Sequence, residues 1–62
     1  MKNENFTAFN QRIKKAQTFD DFAKLGKSLD RLYAAQVFTP KEFTRLDVKL
    51  METAANKLSP SP

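Results

Sequence analysis

Phe38-Thr39-Pro40-Lys41-Glu42-Phe43 is the stretch whose reading decides the fold. Thr39 stands where a helix N-cap belongs, Pro40 at the first helical position and Glu42 at the third, the spacing of a reciprocal capping box. Phe38 before the cap and Phe43 after it have the spacing of a hydrophobic staple, which sets how the chain enters the helix. The helix that starts here runs to about Lys57. Phe43, Leu46, Leu50, Ala54 and Leu58 fall on its inner face at three- and four-residue spacing.

Upstream, Thr18-Phe19-Asp20-Asp21 offers a second cap, a hydroxyl followed by two carboxylates in the first turn, where the helix dipole favours negative charge. Phe19, Phe22, Leu25, Leu29, Leu32 and Tyr33 then share one arc of a helix over about 18–36. Gly26 lies inside that arc, and a mid-helix glycine costs about 1 kcal/mol relative to alanine. Its expected return is the close approach of another helix. Only a few residues around Gln36 to Thr39 join the two helices, so they form an antiparallel hairpin. No glycine ends the first of them, which leaves Gln36 to take the left-handed conformation.

A further helix over about 4–16 carries Phe6, Phe9, Ile13 and Ala16 on a narrow stripe, with Asn3 or Asn5 as its cap. The expected architecture is therefore all-α. It is a single three-helix domain over 1–58, an antiparallel hairpin (18–36 and 39–57) plus an N-terminal helix. Ser59-Pro60-Ser61-Pro62 cannot continue a helix and is expected to be disordered.

Composition narrows the function. The chain has 62 residues, with neither Cys nor His, so disulfides, thiolate metal sites and the usual general base are excluded. A chain this short buries only roughly 60% of its unfolded surface, and six Phe and one Tyr supply most of the apolar payload. No run approaches a membrane span and no signal-peptide core is present, which points to a cytoplasmic protein.

Asp20 and Asp21 are adjacent, but neighbouring helical residues point about 100° apart and do not converge as an acid/base pair. No glycine-rich phosphate loop exists. The expectation is a non-enzymatic protein without cofactor or metal.

Net charge is +4, which favours an acidic partner, nucleic acid or protein. Lys24, Lys27 and Arg31 line the second helix opposite its apolar arc, and Lys41, Arg45 and Lys49 do the same on the third. Arg12, Lys14 and Lys15 form a further cluster at the end of the first. These residues are either a solvated face or an electrostatic footprint for phosphates or an acidic protein patch. Asp20, Asp30 and Glu52 interleave them, which disfavours nucleic acid.

Asp47 falls on the apolar arc of the third helix, where an acid pays for desolvation unless it is paired or sits at the arc's edge. It either pairs within the chain, with Arg12 for instance, or marks an edge where a partner supplies the cation. Met51 beside it suits an adaptable contact surface.

Two stretches carry a family resemblance. Arg12-Ile13-Lys14-Lys15-Ala16-Gln17-Thr18-Phe19-Asp20 resembles the R-L-R-R-x-Q-T-I-D segment of the Hha/YmoA family. Asp47-Val48-Lys49-Leu50-Met51-Glu52, followed by Asn56-Lys57-Leu58, is similar to that family's D-H-R-L-A-E and N-K-L. Together they span about a third of the chain, in the family's order. The resemblance implies a small helical protein that binds the nucleoid-associated repressor H-NS and tunes its silencing. It implies that Asp47 contacts basic residues of the H-NS dimerisation region and that Arg12, Lys14 and Lys15 match the family's basic run. The sequence departs from the family pattern in a longer second helix, a shorter third helix, a Ser-Pro tail in place of an aromatic segment, and Val48 in place of the His.

Leu32 to Phe43 resembles the opening helix and turn of winged-helix proteins, but nothing breaks the chain from Pro40 to Lys57, so no separate reading helix follows. Leu29-x-x-Leu32-Tyr33 with Phe38-Thr39-x-x-Glu42-Phe43 is also similar to short helical hairpins appended to bacterial and phage proteins as interaction modules. The leading expectation is a regulatory protein that binds a protein partner, H-NS-like if the resemblance holds, through Asp47, Met51, Arg12, Lys14 and Lys15. Alternatives are a phage or mobile-element inhibitor of a host or defence enzyme, and a basic nucleic-acid binder using Lys24, Lys27, Arg31, Lys41, Arg45 and Lys49. A homodimer that buries surplus aromatic surface is a fourth.

Overall fold

A computed structural model describes residues 4–58. Three helices make up the fold: α1 (Glu4–Lys15), α2 (Phe19–Ala34) and α3 (Pro40–Leu58). The expected disorder of 59–62 and the cap at Asn3 lie outside the described residues. Asn5 is inside α1 and is not its cap.

Each boundary has a local cause. Thr18 caps α2 by accepting from the Asp21 N–H at 3.1 Å, and the Asp21 carboxylate accepts from the Gln17 and Thr18 N–H groups at 3.0 and 3.1 Å. Thr39 and Glu42 repeat the arrangement on α3, at 3.2 and 2.9 Å. Between the two, Gln36 adopts φ 63°. The Val37 N–H reaches the Leu32 carbonyl at 2.9 Å and the Gln36 N–H reaches that of Tyr33 at 3.0 Å, the paired bonds of a Schellman end. Leu32 and Val37, which flank this end, both pack on the core.

Phe9, Ile13 and Ala16 from α1 and its end, Phe22, Leu25 and Leu29 from α2, Phe38, and Leu46 and Leu50 from α3 form one buried cluster. Each large side chain buried there stabilises the fold by about 1.5–3 kcal/mol. Phe38 and Phe43 both join this packing, with ring contacts that tie other parts of the chain to the turn. Phe38 meets Phe9 edge-on at 6.1 Å, and Phe43 stacks on Tyr33 at 4.3 Å.

Tyr33 on Phe43 and Gly26 facing Leu50 give the antiparallel register of the hairpin. Continued by seven residues, it sets Phe19 across from Lys57. α3 packs on both other helices, whereas α1 and α2 meet least.

Three expectations need correction. Phe19 is 75% exposed rather than inward. It occupies the first position of α2, rotated about 60° from Phe22, with only the last turn of α3 opposite. Leu58 is also exposed, because the hairpin register puts it level with Thr18, beyond the end of α2. Gly26 does not buy a close helix approach: a Cβ there would meet the Leu50 Cδ2 at 3.9 Å, an ordinary contact.

Candidate partner-binding surface

The basic residues do not converge on one face. Arg12, Lys15 and Lys24 come together around a depression of about 300 Å³ at the α1–α2 junction, with Ala16, Leu25 and Asp21. Lys41 and Arg45 border a second with Pro40 and Thr44, and Lys49 a third with Glu52 and Asn56. Lys27 and Arg31 stand exposed along α2, and Lys14 along α1.

Several of these charges already have work within the chain. Lys24 pairs with Asp20 at 3.1 Å, an exposed i,i+4 bridge, and this carboxylate holds the ammonium pKa above its ordinary value. The Arg12 guanidinium lies 5.5 Å from the centre of the Phe9 ring. Asp21 is held below the usual carboxylate range, first by the Gln17 and Thr18 N–H groups.

Lys57 has a role that its sequence position did not reveal. Its Nζ donates to the carbonyls of Lys14 and Ala16 at 2.7 and 2.8 Å. A cation here meets two carbonyls at the end of α1, where the helix dipole also favours positive charge. The donor and acceptors lie more than forty residues apart, and no local pattern announces such a contact.

Asp47 is half-buried at the edge of the α3 core face. Among the described residues its carboxylate has no hydrogen bond and no ion pair, so the intramolecular pairing with Arg12 is not made. Beyond it, Thr44, Val48, Met51, Ala55 and Leu58 are all exposed, and Met51 is 64% exposed. Their alternating four- and three-residue spacing puts them on one stripe of α3, turned about 120° from the face centred on Leu50.

Sequence reading found two members of this surface, Asp47 and Met51, and missed the stripe because Leu58 was assigned to the core. The signal was present in the spacing of Val48, Met51, Ala55 and Leu58.

Among the described residues no group of acidic side chains is placed to hold a metal ion, and no helix is long and apolar enough to cross a membrane. Comparison with known proteins returns no matching family model, no matching curated protein and no matching solved structure.

Proposed function

We propose that this chain is a small, non-enzymatic regulatory protein that acts by docking a protein partner on the outer stripe of α3, with Asp47 as its acidic edge. The observation that carries the reading is a half-buried carboxylate that no cation pairs among the described residues, bordered by exposed Val48 and Met51. Desolvation at such an edge is repaid when a partner brings a basic group, and an adaptable methionine beside it tolerates varied partner shapes. An Hha-like modulator of a nucleoid-associated repressor is the specific form that the Asp47-to-Glu52 and Arg12-to-Asp20 motifs support, with Arg12, Lys14 and Lys15 as accessory contacts.

Affinity capture from a bacterial lysate, with mass spectrometry, tests the proposal. Wild-type bait is expected to retain a specific protein, and Asp47→Asn to weaken that retention roughly tenfold, as for loss of a charge-assisted contact. Unchanged retention by Asp47→Asn, with the bait still helical, would remove Asp47 from the contact.

The net charge of +4 supports a second reading, weak binding to nucleic acid, although the basic residues do not converge on one face. It predicts a steep loss of affinity with added salt, and a flat response would exclude it.

A further inference from the structure

Thr44, Val48, Met51, Ala55 and Leu58 repeat with the spacing of a two-helix coiled-coil seam, all exposed on a helix whose other face, about 120° away, is already buried in the core. We infer that this seam closes on the same seam of a second copy of the chain, with the two α3 helices antiparallel. The inference rests on the docking face proposed above and names an occupant for it when no other partner is present.

The flanking charges select both the occupant and its direction. Arg45 and Glu52 lie seven residues apart on one flank of the seam, both exposed, and neither is in an ion pair among the described residues. Asp47 and Ala54 occupy the other flank. In a parallel pair, opposite flanks meet with an offset of about five residues, which sets Asp47 against Glu52 of the second copy, twice. In an antiparallel pair each flank meets its own counterpart. Arg45 then faces Glu52 of the second copy, and the two-fold axis repeats the pair, while Asp47 faces Ala54.

The same register matches side-chain sizes across the seam. Val48 packs on Met51 of the second copy, twice, at the centre, and Thr44 on Ala55 outside it. Such an interface is isologous and closes at two copies. A seam this short gives a weak, reversible dimer, so the face stays available to a tighter partner.

Sedimentation equilibrium of the full chain tests this, from micromolar concentration to about 1 mM, the weakest range in which a specific pair is read. The expected result is a mass that rises from 7.1 kDa towards twice that value with concentration. Met51→Glu is expected to remain helical and monomeric. Arg45→Glu and Glu52→Arg, made singly, are each expected to weaken the dimer roughly tenfold through like-charge contacts. The double swap restores the pairing and should return to the wild-type constant.

A wild-type chain that stays monomeric throughout overturns the inference, and so does a double swap no tighter than the single variants. Capture of a different protein by a chain that stays monomeric overturns the second copy as occupant and leaves the docking face standing. Loss of capture together with an intact dimer does the reverse.

Discussion

At the scale of single residues, Gln36 and Gly26 have different characters. Gln36 carries a positive φ because the hairpin has to reverse within a few residues, and the two backbone bonds it closes, with Leu32 and Val37 on either side, hold it there. Gly26 has no such requirement. Its Cβ position is open to a methyl group at normal contact distance from Leu50, and its φ lies in the range any residue adopts. Gly26→Ala is therefore expected to stabilise the protein by about 1 kcal/mol, through helix propensity and a less flexible unfolded chain. A thermal melt should show the midpoint rising by about 4–8 °C for a domain of this size. A fall in the midpoint would mean that α2 and α3 approach more closely than the 3.9 Å contact allows.

At the scale of elements, capping sets the helix boundaries and its electrostatics set a pH dependence. Asp21 has a folded pKa below its ordinary value because two backbone N–H groups donate to its ionised form. Its contribution is present above the usual aspartate range and is lost as pH falls through that range and beyond. Asp21→Asn should thus be less stable than wild type at neutral pH, with the gap narrowing below about pH 4. A gap that stays constant down to acid would show that the negative charge is not what stabilises the cap.

The joint between elements is tested through Lys57. Lys57→Met, which keeps most of the aliphatic stem, is expected to cost about 1 kcal/mol, whereas Lys49→Met at an exposed position should cost little. Equal melting points for the two variants would mean that Lys57 does not hold the end of α1.

At the scale of the whole molecule, what the sequence disclosed and what it hid follow from the range of the interactions. The caps at Thr18 and Thr39, the turn at Gln36 and the arcs of α2 and α3 are encoded within a turn or two, and they were legible. Phe19 and Leu58 were misplaced because their burial depends on where the neighbouring helix ends, which a helical wheel cannot report. The role of Lys57 was not legible because its acceptors lie at the end of α1, brought to it only by the fold. Of the candidate surface, Asp47 stood out because an acid on an apolar arc is a local anomaly. The stripe beside it was missed because Leu58, its last member, had been placed in the core.

The central proposal is that the protein acts through the outer stripe of α3 and not through the basic residues of α2. The most direct test is a single affinity capture that compares wild-type bait with Met51→Glu and with a Lys24→Ala, Lys27→Ala, Arg31→Ala triple variant. All three substituted basic residues and Met51 are exposed, so each bait is expected to keep its helical content. Loss of the partner from Met51→Glu with retention by the triple variant is the predicted result. Retention by Met51→Glu with loss from the triple variant would contradict the account.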